Sequence, residues 1–261
     1  MRIEDLDTPR VVPGCAEGIL RTLEGFGLGW DGEVEYQSRR TERYAAALAV
    51  LASKGLLFQC SCSRRELTGL HDRGYPGTCR KGPTRAGPTA LRFRVDEGVV
   101  RFDDRIQGPQ EFALRRLGDV VVRRRDGLIA YQLAVTIDDA AQGITDVVRG
   151  ADLLDSTAWQ IAIARALGLD PPAFAHLPLV VEPDGSKLAK SRRSAPVDPL
   201  HSGAWLWQTL RLLRQDPPPE LMREPAPVQL AWAVRHWRLD PLAGLKSVPA
   251  PAAEPTAELT S

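Results

Sequence analysis

Two hydrophobic periods alternate along this chain, and that alternation restricts its fold more than any other feature. In "GCAEGILRTLEGFGL" the apolar residues Ile19, Leu20, Leu23 and Phe26 follow the i, i+3/i+4 spacing of an amphipathic helix, which Gly27 and Gly29 end. "RRTERYAAALAVLASKG" predicts a second helix, stopped by Gly55. "LLFQCSC", "ALRFRV", "GITDVVRG" and "FAHLPLVV" read as extended. "DVVVRRRDGLIAYQLAV" predicts a hairpin, because two β-prone runs flank the tight-turn pair Asp126-Gly127. A helix is predicted from about Thr157 to Leu167, with Thr157 and Gln160 at capping-box spacing and Gly168 at its end. Strands alternating with helices predict an α/β fold with a largely parallel sheet. Residues 201–238 read as helical and Trp-rich, and the Pro- and Ala-rich tail reads as disordered.

In such sheets ligands bind beyond the carboxyl ends of strands, at a switch in strand order. Glu4, Arg149 and the loop Lys187–Lys190 each follow an extended run and are expected to share one cleft. Arg149, with Gly150 beside it, suits bidentate binding of a substrate carboxylate. Glu4 suits an ammonium group, and Tyr131 a polar substrate atom. Taken singly, each has a structural alternative: Arg149 paired with Asp152, Tyr131 as a strand-face aromatic, Glu4 as a cap. Asp138 and Asp139 resemble a metal-binding carboxylate pair, which a helix N-terminus explains equally well.

About thirty irregular residues follow "LLFQCSC" and interrupt the α/β pattern, and three of the four cysteines crowd into the twenty residues from Cys60 to Cys79. Cys60, Cys62 and Cys79 supply three corners of a tetrahedral zinc site, with His71, Asp72 and Tyr75 competing for the fourth. The competing reading, three small buried hydrophobes, sits poorly in so polar a segment. A metal there would staple an insertion with little core of its own.

Only five of the 34 basic residues are lysine, and Lys187 and Lys190 of "DGSKLAKS" are two of them. Mobile lysines beside glycine suit a phosphate chain whose charge shifts as a bond breaks; a solvated basic loop is the alternative. The net charge of +1 gives no global nucleic-acid footprint, so any RNA contact is local. Arg123–Arg125 on the hairpin are the candidates. No run approaches the roughly 18 apolar residues of a membrane span, and the expected location is cytoplasmic.

"RIEDLDTPR", "CSC…YPGTC", "GLIAYQLAVTIDDAAQGITDVVRGADLLDST" and "KLAKS" occur in the order seen in class I glutamyl-tRNA synthetases. Within that family the chain resembles the short glutamyl-Q tRNA(Asp) group, which lacks an anticodon-binding domain. "VRGADLL" resembles that group, whereas full synthetases tend to have Glu-Asp-His after the Arg-Gly. The resemblance implies a Rossmann-like catalytic domain over 1–58 and 94–200, a zinc-binding insertion over 59–93, a C-terminal helical segment over 201–245 and a disordered tail over 246–261. It implies ATP-dependent activation of glutamate, with Mg2+, and transfer to the queuosine of tRNA(Asp); a monomer is the simple expectation for the chain. Glu4, Tyr131 and Arg149 match the glutamate-binding positions. Lys190 matches the catalytic ATP-binding lysine of the KMSKS-like loop. Cys60, Cys62, Tyr75 and Cys79 match the ligands of one zinc ion, which gives the fourth corner to Tyr75.

In the family a strand and an ATP-cradling loop occupy about forty residues ahead of the position of Met1, in the manner of phosphate sites at helix N-termini. The expectation is therefore that Met1 is internal to a longer reading frame. On that reading, residues 1–261 alone are expected to show little or no glutamate-dependent ATP–pyrophosphate exchange. Two readings compete with the enzyme: a zinc-stabilised RNA- or partner-binding remnant, and a fragment of a true glutamyl-tRNA synthetase.

Overall fold

The computed structural model describes residues 1–63, 65–67, 74–188 and 197–251. Its elements run β1 (Arg2–Ile3), α1 (Cys15–Gly25), β2 (Glu35–Tyr36), α2 (Thr41–Ser53), β3 (Leu57–Cys60), β4 (Ala90–Phe93), β5 (Val99–Asp104), β6 (Gly108–Ala113), α3 (Leu114–Leu117) and β7 (Val120–Arg123). They continue with α4 (Tyr131–Ala141), β8 (Asp146–Gly150), α5 (Leu154–Leu167), β9 (Ala173–Leu177), β10 (Leu179–Val181), α6 (Ser202–Leu212), α7 (Ala226–His236) and β11 (Ser247–Pro249).

The chain is α/β, as the alternating pattern predicts, but its strands are divided among separate sheets. The largest has the order β6-β5-β9-β8, parallel across β5, β9 and β8, with β6 antiparallel on its edge. β3, β4 and β7 form an antiparallel sheet, while β1–β2 and β10–β11 are parallel pairs. Helices α2, α4 and α5 cover the core, where Leu51, Leu133, Ala158 and Ile163 are fully buried among Phe93, Val100, Val122 and Phe174. Truncating one such leucine costs about 2–5 kcal/mol.

The expected hairpin is half right. Asp126-Gly127 makes the turn, with Gly127 at φ +87° and the Arg124 amide donating to the Leu128 carbonyl at 2.8 Å. The second arm then contributes one bridge, Arg123 to Ile129, before the chain enters α4 at Tyr131. The β-prone "AYQLAV" becomes helix because Leu133 and Ile137, four apart, both pack into the core. α5 begins at Leu154, so Thr157 and Gln160 lie inside the helix instead of capping it. Ser247–Pro249, placed by the sequence in a disordered tail from 246, pairs with β10; residues 252–261 lie outside the described residues. No helix among the described residues is long and apolar enough to cross a membrane.

Candidate active site and metal centre

Arg149 and His176 are register partners on the parallel strands β8 and β9. This pairing brings the Arg149 Nε donor to 3.1 Å from His176 Nε2. Arg149 Nη2 donates to Thr157 Oγ1 and Gln160 Oε1, each at 2.7 Å. Nη1 is the end left to the groove, 3.5 Å from the Tyr131 hydroxyl. The guanidinium also lies 5.4 Å from the centre of the Phe174 ring. Arg149 is thus held by the strand beside it and by the face of α5, and not by Asp152, which pairs with Lys187 at 2.5 Å.

Beneath Arg149, His176 Nδ1 lies 2.6 Å from Asp104 Oδ2, and both side chains are wholly buried. Asp104 Oδ1 accepts the amides of Ile106, Gln107 and His176. Burial lowers the His176 pKa, aided by the Arg149 charge and opposed by Asp104. Burial alone would raise the Asp104 pKa, but the amide bonds from Gln107, His176 and Ile106 and the His176 ring outweigh it and lower it.

Arg2, Glu4, Asp31, Tyr131, Asp139 and Arg149 contribute to one open groove of about 670 Å³. Three of the expected residues, Glu4, Tyr131 and Arg149, therefore meet. Tyr131 is the first residue of α4, not a strand-face aromatic. Arg2 bridges the acidic wall: Nη2 lies 3.2 Å from Glu4 Oε1 and 2.7 Å from Asp139 Oδ1, while Nη1 donates to Gln142 Oε1. Neighbouring acids do other work. Asp5 accepts the Ser38 amide and hydroxyl, and Asp7 pairs with Arg10 and Arg124.

Asp138 and Asp139 lie late in α4, not at a helix N-terminus. Asp138 is wholly buried and accepts from Gln37 Nε2 and Arg40 Nε, each at 2.8 Å, and from Tyr44 Oη at 2.6 Å. That arrangement joins α2 to α4 and serves structure. Lys190 lies outside the described residues, as do His71, Asp72, Arg192 and Arg193.

A second constellation sits in the insertion. The sulfurs of Cys60, Cys62 and Cys79 lie within 4.8 Å of one another. Cys62 Sγ is 3.6 Å from Cys79 Sγ. The Tyr75 hydroxyl lies 3.4 Å from Cys60 Sγ and 3.7 Å from Cys62 Sγ. Ligands about 2.3 Å from a tetrahedral zinc stand roughly 3.8 Å apart, so these donors are spaced as a metal requires, and the cluster can hold one. Cys15 is exposed and takes no part. Burial pushes the Cys62 thiol up to about 11. At Cys79 the same burial is outweighed by bonds from the Tyr75 hydroxyl and the Ser61 and Thr84 backbone, which bring the thiol down to about 5, favouring the thiolate a metal binds.

The cage is docked on the core. Arg92 stacks 3.9 Å from the Tyr75 ring centre and donates to the Asp119 carbonyl, while Asp119 receives Arg80 and the Val95 amide. Arg125 on the β7 turn donates to the Ser61 carbonyl, and Arg124 beside it holds Asp7 and Asp126.

Residues 1–212 match the family model of tRNA synthetases class I (E and Q), catalytic domain. The chain belongs to this family. Among curated relatives it is 51% identical over 238 residues to the glutamyl-Q tRNA(Asp) synthetase of Pseudomonas aeruginosa PAO1, covering 91% of this chain and 81% of that protein. It is 49% identical over 251 residues to the protein of the same name from Pseudomonas putida GB-1, covering 95% and 84%. A solved glutamate-tRNA synthetase from Elizabethkingia anophelis shares the fold at a TM-score of 0.74 and 23% identity, over 98% of this chain and 62% of that one. A glutamate tRNA ligase from Elizabethkingia meningosepticum gives 0.73 and 22%, over 98% and 61%. The chain thus spans about three fifths of the length of these two solved proteins.

Within this class I synthetase chain, sequence reasoning did not single out Asp104, His176, Thr157 or Gln160 as partners of Arg149. The available signal was a histidine inside the otherwise apolar run "FAHLPLVV". A Cβ at Gly150 would lie 2.6 Å from Asp152 Oδ1 and 3.1 Å from Leu179 Cδ2, so those side chains would have to give way.

Proposed function

We propose that this class I synthetase chain activates glutamate with ATP and passes it to the queuosine of tRNA(Asp). The observation that carries the proposal is the groove where Glu4, Tyr131 and Arg149 meet, in a chain about half identical to glutamyl-Q tRNA(Asp) synthetases over nine tenths of its length. Arg149 Nη1 and the Tyr131 hydroxyl together take a glutamate carboxylate, while Glu4 takes the ammonium group. An oxygen of the free α-carboxylate attacks the α-phosphorus of ATP, the bond to pyrophosphate breaks, and the mixed anhydride is the activated glutamate. The queuosine nucleophile then attacks the carbonyl carbon and AMP leaves. Orientation of two anions is the main demand of the first step. Lys190 neutralises charge developing on pyrophosphate, with Mg2+ accompanying the nucleotide.

In this reading 1–58 and 94–200 form the catalytic domain and 201–245 the helical segment. Cys60, Cys62, Tyr75 and Cys79 hold one zinc ion that organises insertion 59–93. The protein works as a monomer in the cytoplasm.

The test is charging with radiolabelled glutamate and ATP, with protein in excess of tRNA so that slow activation still registers. Label should appear on tRNA(Asp) carrying queuosine and on neither unmodified tRNA(Asp) nor tRNA(Glu). Label on tRNA(Glu) would assign the chain to the glutamyl-tRNA synthetases, and no label on any tRNA would contradict the transfer.

A further inference from the structure

The Asp104 carboxylate has one orientation available to it. Oδ1 accepts three backbone amides, from Ile106, Gln107 and His176, at 2.8–3.1 Å. Oδ2 is left facing His176 Nδ1 at 2.6 Å. An ionised carboxylate only accepts, so Nδ1 carries the imidazole proton. Arg149 Nε only donates, so His176 Nε2, 3.1 Å away, must accept. These constraints agree on one neutral tautomer. Thr157 and Gln160 on α5 take both hydrogens of Nη2, and the Tyr131 hydroxyl stands beside Nη1.

We propose that Asp104 and His176 are a positioning pair that fixes the Arg149 guanidinium so that Nη1 meets a substrate carboxylate; the proposal rests on the groove being the glutamate site. The pair touches no substrate. It acts by denying Arg149 its other rotamers, and with them the loss of freedom that binding would otherwise impose. The wrong tautomer would aim an N–H at Arg149 Nε, and a doubly protonated ring would add a positive charge beside the guanidinium. The groups facing His176 are Asp104 from β5, Arg149 from β8, Thr157 from α5 and Phe174 on its own strand, with Asp152 contributing charge from beyond β8.

Three variants of the full chain test it by calorimetric titration with L-glutamate, with melting temperature recorded alongside. H176N retains an amide donor for Asp104 but no acceptor for Arg149, and its Kd should rise about tenfold, the effect of one lost charge-assisted hydrogen bond. H176Q places an acceptor near the Nε2 position and should recover most of the affinity, although its melting temperature falls at least as far. D104N should reverse the tautomer and weaken glutamate as H176N does. Nitrogen-15 NMR of the wild-type imidazole should show Nδ1 protonated and Nε2 bare between pH 6 and 8. An Nε2-protonated ring overturns the proposal, even if every variant fails to fold. So do H176N and D104N proteins that bind glutamate like wild type, or affinity losses that merely track melting temperature. Wild-type protein without glutamate binding would instead remove the glutamate reading of the groove, and this pair's role with it.

Discussion

A Cβ on Gly118 would lie 2.2 Å from the backbone nitrogen of Tyr75, closer than any side chain can come. Gly118, at φ +73°, bridges Tyr75, so the segment that carries Tyr75 sits directly on the turn before β7. Trp159 Nε1 on α5 donates to the Gly118 carbonyl at 2.8 Å from another side. Gly118→Ala should therefore cost at least about 2 kcal/mol, from left-handed strain and the clash together. Thermal unfolding with metal analysis checks this. Wild type should carry about one zinc per chain, and the variant should melt lower and retain less metal.

Asp138 makes a different prediction, because it is itself a wholly buried carboxylate shared by Gln37, Arg40 and Tyr44. Asp138→Ala leaves the largely buried Arg40 with Glu35 as its remaining ion-pair partner and Gln37 and Tyr44 without their acceptor, and should cost about 3 kcal/mol. Tyr44→Phe removes one hydrogen bond from the same carboxylate and should cost about 1 kcal/mol. Urea unfolding of both variants measures the contrast; equal, small effects would show that Asp138 does not join α2 to α4.

Acid should weaken the fold in two stages traceable to one buried pair. His176 has a folded pKa below 6.5, so below about pH 6.5 the unfolded chain takes a proton that the native ring refuses. Stability falls as pH falls through that window, by up to about 1.4 kcal/mol per pH unit for one proton. Asp104 has a folded pKa below 3.8; its contribution is present above that value and is lost as pH falls toward the folded pKa. Melting temperatures from pH 8 to 4 should show the first decline in wild type, and His176→Gln should flatten it.

What the sequence revealed and what it hid divide along a physical line. The spacing of "RRTERYAAALAVLASKG" became α2, which buries Tyr44, Ala47, Leu48 and Leu51, so local period and tertiary burial agree there. "GCAEGILRTLEGFGL" became α1 on local period alone, since none of that helix's residues is buried and Ile19 is exposed. "AYQLAV" misled because its β-prone residues also satisfy a helical stripe, and only packing against the core decides between them. Thr157 and Gln160 have capping-box spacing, yet the same i, i+3 spacing sets them side by side inside α5, both on Arg149. Cys60, Cys62 and Cys79 were legible because metal-ligand spacing is local. The Asp104–His176–Arg149 chain was not, since strand order β5-β9-β8 brings together residues far apart in sequence.

The central claim is that the groove between α4 and β8 selects glutamate through Arg149, and one calorimetric titration tests it most directly. L-glutamate should bind wild type at a single site and tighter than L-glutamine or L-aspartate, and Arg149→Gln should weaken it at least about tenfold by removing a charge-assisted contact. Equal affinity for glutamine, or an Arg149→Gln protein that binds glutamate as wild type does, would contradict the account.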